Sequence, residues 1–227
     1  MSFPDAKYVE SSAYHEAGHT IAAVSLGMPL RKRGVHIDRR GDGISYYWFR
    51  VLGDTNNAPE DIAERERTII SIEAGFTAQR RFYPDCPTGG NFTDRDQCIK
   101  LLDEMYSNRD DWLGAQERLI AEARRLVDRH WDAIEALAKA VLAQPLTQRP
   151  EDAERQWSRD SMERWVDGNQ VVSILKQFGM EPFIHDEANG KFYPKGLRPG
   201  SMTTANARWI EFPGHSLLLS PTSGSGL

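Results

Sequence analysis

Residues 13–22 have the sequence AYHEAGHTIA and lie inside an apolar repeat that predicts one helix over residues 5–26. A Pro-Asp pair precedes the repeat and a glycine follows it, as is typical of helix starts and ends. Small and apolar residues recur at steps of three and four, which places them on one helix face; they are Ala6, Val9, Ala13, Ala17, Ile21 and Val24. We therefore expect a helix that buries this face in the core.

The same helix carries the pattern HExxH, formed by His15, Glu16 and His19. Side chains four residues apart share a helix face, so both imidazoles can bind one zinc ion. Glu16 lies beside the metal position, where it can act as the general base that takes a proton from a zinc-activated water. The pattern predicts a zinc metallopeptidase with Glu16 as its catalytic residue. The alternative interpretation is a pair of surface histidines beside an unrelated glutamate.

A catalytic zinc site needs a third protein ligand and an open position for water. The chain offers several residues for this role, and spacing alone does not choose among them. The presence of Asp94 and Asp96 also has a purely structural explanation, because acidic residues are favoured in the first turn of a helix. The candidates are Glu60, Glu64, Glu73, Asp85, Asp94, Asp96, His36 and His130.

The remaining pattern predicts a mainly α (α+β) fold with a small β-hairpin or edge sheet. Thr93 is the predicted N-cap of a helix, with Asp96 as its capping-box partner. Residues 145–159 predict a loop, and Asn189-Gly190 predicts a hairpin turn between two short aromatic segments. The other predicted elements are strands over 34–38, 44–51 and 209–212 and helices over 59–82, 110–143 and 170–178.

The predicted secondary structure differs between two parts of the chain. Residues 1–179 predict a helical zinc peptidase-like domain, and residues 180–227 predict a C-terminal appendage that contains β-structure. The Ser/Gly/Pro-rich end of this appendage, from Ser220, is expected to be disordered.

Composition narrows the class of protein. A formal net charge of -5 argues against a broad nucleic-acid interface, which requires a basic face. Cys86 and Cys98 match neither a redox pair nor a zinc knuckle, and reduced thiols are expected. The N-terminus has no secretory pattern, and no apolar run approaches the roughly 18 residues of a membrane span. We expect a soluble, cytoplasmic protein with no nucleic-acid partner.

Residues 13–22 closely resemble the zinc-binding helix of the FtsH-type peptidase family. This resemblance implies a zincin-like peptidase fold and a Zn²⁺ ion bound by His15, His19 and Asp94, with Glu16 as general base. It extends weakly over residues 6–178. Three further blocks follow in the order of the family: 35–38 with Arg39-Arg40 and Gly43, then 69–79, then Thr88-Gly89-Gly90 leading to Asp94.

The chain also departs from this family. Gln79 stands where the family usually has glutamate, and Ala74 and Phe76 replace a glycine and an arginine. No phosphate-binding GxxxxGK[ST] loop occurs in this sequence, so we expect these residues to lack the ATPase module of the family. The resemblance therefore implies a stand-alone peptidase for unfolded proteins or short peptides, or a subunit that works with a partner ATPase; a homo-oligomer is also possible.

Two alternatives remain open. One is a non-catalytic interaction module that keeps the zinc as a structural element, and the other is a different zinc hydrolase that uses Glu73 as a ligand. If the strand over 44–51 is a sheet edge, an extended peptide could pair with it. Tyr46, Tyr47 and Trp48 would then lie near the cleft; otherwise these aromatic residues only pack in the core.

Overall fold

The computed structural model describes residues 5–51, 59–86, 92–148, 161–185 and 208–211. Within these residues no helix is both long and apolar enough to cross a membrane. The helices are α1 (Ala6–Ser25), α2 (Pro59–Phe82), α3 (Phe92–Met105), α4 (Arg109–Arg129), α5 (Trp131–Leu142) and α6 (Gly168–Lys176). The strands are β1 (Leu30–Asp38), β2 (Gly43–Val51), β3 (Thr147–Gln148), β4 (Met162–Val166) and β5 (Arg208–Glu211). The prediction of a mainly α fold with a small sheet is confirmed.

The central element is α1, which begins where the Asp5 side chain accepts a hydrogen bond from the backbone N–H of Lys7. Every residue from Ser11 to Ala23 is buried, so the helix is enclosed on all sides and not on one face alone. It packs against α2, α5 and the sheet. Because the helix is enclosed on all sides, the positions between His15 and His19 that face its neighbours are occupied by the small residues Ala17 and Gly18.

α1 and α2 approach each other closely at Gly18. A Cβ atom at this position would lie 2.6 Å from the carbonyl oxygen of Ala74 and 2.8 Å from Cβ of Ala78. Any side chain larger than hydrogen would therefore push the two helices apart. The small residues between the two histidines thus allow α2 to lie directly against the HExxH pattern.

The prediction of a single helix over 110–143 is wrong, because the structure has two helices, α4 and α5, in this range. His130, with φ -113° and ψ 24°, ends the first helix and precedes the second. The change of direction lets α4 pack on α2 and α5 pack on α1. Trp131 at the start of α5 stacks on Tyr14 with ring centroids 5.5 Å apart.

The five strands lie in the order β3-β4-β1-β2-β5, and each neighbouring pair is antiparallel. The first strand begins at Leu30, earlier than predicted, and β4 is an element that the sequence did not predict. Asp167 and Gln170 then form a capping box at the start of α6.

β5 confirms the strand predicted over 209–212 for most of its length. It pairs with Trp48–Val51 of β2, whereas β1 pairs with the first half of β2. A segment of the predicted appendage therefore continues the sheet of the predicted first domain.

Two local predictions differ from the structure, and a third lies only partly within the described residues. The helix α3 begins at Phe92, one residue before Thr93, so Thr93 is not its N-cap. β3 lies inside the loop predicted over 145–159. Of the predicted hairpin the structure describes only the first segment, where Ile184 forms a parallel bridge with Leu30. The turn at 189–190, the second aromatic segment at 192–193 and the tail from residue 220 lie outside the described residues.

Candidate metal centre

His15, His19 and Asp94 converge in the interior, and each is at most 6% exposed. The Nε2 atoms of the two histidines lie 2.9 Å apart. Oδ2 of Asp94 is 3.0 Å from Nε2 of His15 and 3.3 Å from Nε2 of His19. Among the described residues, this is the one group of three potential ligands whose donor atoms lie within 4.8 Å of one another.

Two different elements supply the cluster. The histidines lie one turn apart on α1, and Asp94 lies in the first turn of α3. His15 and Asp94 are separated by 79 residues in the sequence, so tertiary structure alone brings them together. The helix N-terminus also favours an acidic residue at the Asp94 position.

A hydrogen bond determines which ring nitrogen of His19 carries the proton. Its Nδ1 lies 2.9 Å from the carbonyl oxygen of Ser71. Since a carbonyl oxygen can only accept, Nδ1 carries the proton and donates it. In the neutral ring Nε2 is then the atom with the free lone pair, and it is the atom that faces His15 and Asp94.

The charges of the cluster favour a cation at its centre. Burial by itself would lower the pKa of His19, but the hydrogen bond and charge of Asp94, helped by Glu16, raise this pKa to about 9. Burial would raise the pKa of Asp94, yet the two histidines hold it well below its usual range. Two neutral imidazoles cannot direct lone pairs at each other over 2.9 Å without a proton or a metal cation between them.

The donor set fits zinc. Two imidazole nitrogens and one carboxylate oxygen are ligands that Zn²⁺ accepts, and three protein ligands are the number found in catalytic sites. His15 Nδ1 is buried and has no hydrogen-bond partner within the described residues. On one face of its ring lies Phe76, which packs edge to face with a centroid distance of 5.3 Å. The aromatic residue that replaces the arginine of the FtsH-type pattern therefore contacts this histidine.

Glu16 lies beside the cluster and is 6% exposed. It faces the start of β2, where a Cβ atom at Gly43 would lie 2.7 Å from its Cδ. The absence of a side chain at Gly43 therefore makes the space for the Glu16 carboxylate. A carboxylate held beside a potential metal site is in position to take up and release a proton.

Gly75 has the corresponding role for His19. A Cβ atom at Gly75 of α2 would lie 2.6 Å from Nε2 of His19. Gly75 was not named as a site residue from the sequence, and neither was Gly43. The resemblance could have indicated both, since each falls in one of its blocks.

Tyr47 and Ser71 also lie at the site; one of the two open interpretations of the sequence placed Tyr47 near the cleft, whereas Ser71 was not named. The Tyr47 hydroxyl lies 3.2 Å from Oγ of Ser71, and its side chain is 5% exposed. Burial raises the pKa of Tyr47, while the bond to Ser71 lowers it and the nearby carboxylates of Asp94 and Glu16 raise it further. Tyr47 thus lies in the core beside the cluster.

The other candidate ligands lie elsewhere. Asp85 and Asp96 are exposed, and His130 occupies the junction between α4 and α5. Glu64 forms an ion pair with Arg67 at 2.8 Å. The side chain of Glu60 lies outside the described part of the structure.

His36 and Glu73 have partners of their own. His36 is 3.2 Å from Glu163 and 2.8 Å from the carbonyl oxygen of Arg33. Glu73 accepts a hydrogen bond from the buried thiol of Cys98 and lies near Asp94 without joining the cluster. Geometry therefore favours Asp94 over the alternatives that spacing left open.

No protein-family model matches the chain, and no curated protein matches it in sequence.

Proposed function

We propose that this protein is a zinc-dependent metallopeptidase with a zincin-like fold, in which His15, His19 and Asp94 bind the metal and Glu16 is the general base. The observation that carries the proposal is the convergence of these three buried donors, with a glutamate held beside them by Gly43. A buried structural site would have no need of that glutamate.

Each residue has a distinct role in this proposal. A zinc ion held by the three donors would polarise a peptide carbonyl and increase the acidity of water. Glu16 accepts the proton of the attacking water and delivers it to the leaving amine, a shuttle worth roughly 10²–10⁴-fold in rate. His19 keeps its proton on Nδ1 through Ser71, so its Nε2 stays available to the metal.

The sheet offers a place for an extended substrate. β1 occupies one side of β2 from Gly43 to Tyr47, and β5 pairs with β2 farther along, on the other side. Among the described residues no strand pairs with the side of Gly43–Tyr47 that faces away from β1, and Gly43 at the start of this stretch adjoins Glu16. We propose that a peptide pairs there by backbone hydrogen bonds, which would place its carbonyl groups beside the metal centre.

The resemblance to FtsH-type peptidases supports a substrate class. Without a phosphate-binding loop in this sequence, an unfolded protein or short peptide is the substrate that needs no energy-dependent unfolding. A partner ATPase would extend the range to folded proteins.

The test compares wild type with Glu16→Gln. We expect about one zinc per chain in both proteins, cleavage of casein only by the wild type, and loss of that cleavage on chelation. Because Gln cannot accept the proton, the loss should be at least about 100-fold. Zinc in both proteins with no cleavage by either would overturn the peptidase proposal and favour a non-catalytic zinc module.

A further inference from the structure

Ser71 connects three elements at the metal centre. It lies on α2 and is fully buried. Its carbonyl oxygen is 2.9 Å from Nδ1 of His19 on α1, and its hydroxyl is 3.2 Å from the hydroxyl of Tyr47 on β2. One residue thus joins a proposed metal ligand to the strand beside it.

The direction of each hydrogen bond follows from the number of protons. The Ser71 hydroxyl has one hydrogen, and it donates to the carbonyl oxygen of Thr68 at 2.9 Å. While that bond forms, Ser71 Oγ can accept from the Tyr47 hydroxyl, so both hydrogen bonds of Ser71 can exist together.

The carbonyl group of Ser71 has two lone pairs, so it can serve its own helix and also accept from His19. Gly75, one turn farther along α2, adjoins the same imidazole at Cε1, between its two nitrogens, where a Cβ atom would lie 2.4 Å away. This one turn of α2 therefore determines both the tautomer of His19 and the space its ring occupies. Tyr47 holds that turn against β2.

We infer that Tyr47 and Ser71 are positioning residues that orient His19 through the hydrogen-bonded series Tyr47 hydroxyl, Ser71 and His19 Nδ1, and thereby increase the affinity of the site for its metal. The inference rests on the proposed function for the identity of the ligands. It assigns Tyr47 an effect on metal binding and no direct contact with the substrate.

The test measures zinc affinity of the full chain by competition with a chromogenic chelator. We expect Tyr47→Phe and Ser71→Ala each to weaken zinc binding by roughly 10-fold or more, the range seen when outer partners of a ligand are lost. The visible spectrum of the Co²⁺-loaded protein should change in the same variants, because the orientation of the imidazole changes.

Matched controls are available in the same chain. Tyr106→Phe removes another hydroxyl hydrogen bond of 3.2 Å, made to Glu66 away from the cluster. Ser25→Ala removes a serine bond of 2.8 Å to its own helix. Neither change should alter zinc affinity or the Co²⁺ spectrum. Circular dichroism establishes that each variant is folded, and Tyr47→Phe, which removes a single oxygen atom, is the less disruptive of the two test variants.

The outcomes are distinct. Unchanged zinc affinity in a folded Tyr47→Phe protein would overturn the inference while leaving the proposed function intact. Unchanged affinity with a large loss of turnover would overturn it in favour of a direct catalytic role for Tyr47. If the wild type binds zinc but cleaves nothing, the proposed function fails and the affinity comparison still decides the inference. If the wild type binds no zinc, both fail.

Discussion

Gly75 of α2 faces the imidazole of His19 so closely that a Cβ atom there would lie 2.6 Å from Nε2. The ring cannot simply withdraw, because its Nδ1 is bonded to Ser71 one turn earlier on the same helix. The glycine therefore matters for the space it leaves open, on a helix where alanine would otherwise be the better residue.

Gly75→Ala should fold and lose zinc. Alanine favours the helix by about 1 kcal/mol over glycine, but its methyl group displaces His19 from Asp94. We expect the zinc content after dialysis to fall to a small fraction of the wild-type value, measured by elemental analysis. Gly114→Ala on α4 is the control, since a Cβ atom there meets nothing within 4 Å. It should keep its zinc and gain stability; full zinc content in Gly75→Ala would contradict the close contact.

Gly43→Ala should separate metal binding from catalysis. Its methyl group would meet the flexible end of Glu16, 2.7 Å away at Cδ, so the carboxylate moves while the three donors stay in place. We expect normal zinc content and a decrease in kcat on casein approaching that of Glu16→Gln, on the order of 100-fold. Normal activity in the zinc-loaded variant would show that the Glu16 position is not needed for turnover.

Asp94→Asn should weaken zinc binding strongly, whereas Asp96→Asn should not. Both residues lie at the start of α3, but Asp94 is 5% exposed and directed at the histidines while Asp96 is exposed. Replacing a charged ligand oxygen with an amide removes the negative charge that Zn²⁺ needs there. Isothermal titration with Zn²⁺ would measure the difference. Glu73→Ala provides a further comparison, and zinc loss in that variant but not in Asp94→Asn would reverse the assignment.

Glu73→Gln should change how stability depends on pH. Burial raises the pKa of Glu73 above its ordinary value of 4.5, although Cys98 and Arg95 oppose the shift. The folded protein therefore holds this proton more tightly than the unfolded chain. The stability that Glu73 contributes is complete below pH 4.5 and is lost as pH rises through the raised pKa of the folded state.

The measurement is urea unfolding of the metal-free protein at several pH values from 4 upward. The free energy of unfolding of Glu73→Gln minus that of wild type should increase with pH over this window and then level off. A difference that decreases with pH would mean that the folded state stabilises the Glu73 carboxylate instead.

Local patterns accounted for the elements that depend on nearby residues. α1 and its two histidines follow from helical spacing alone, and its end follows from Gly27, where φ is 77°. The boundary between α4 and α5 has no proline or glycine, and it arises because the two helices pack on different neighbours. β4 is a strand of five residues whose pairing with β1 depends on distant sequence.

The residues of the site also divide into those that a local pattern predicts and those that depend on distant parts of the chain. His15, Glu16 and His19 were predicted from one short pattern, but Asp94 required the resemblance because it lies 79 residues from His15. Gly75, Ser71 and Tyr47 act through contacts between α1, α2 and β2, and such contacts leave no periodic signal in the chain. Their roles become visible only when the three elements are in place.

The pairing of β5 with β2 has a consequence for synthesis on the ribosome. The two histidines, Asp94 and the helices around them are translated well before residues 208–211. Until those residues emerge, the edge of β2 over Trp48–Val51 lacks its intramolecular neighbour and presents unpaired backbone groups. We therefore expect nascent chains to be able to pair with one another at this edge during the interval after His15, His19 and Asp94 are translated and before residues 208–211 complete the sheet.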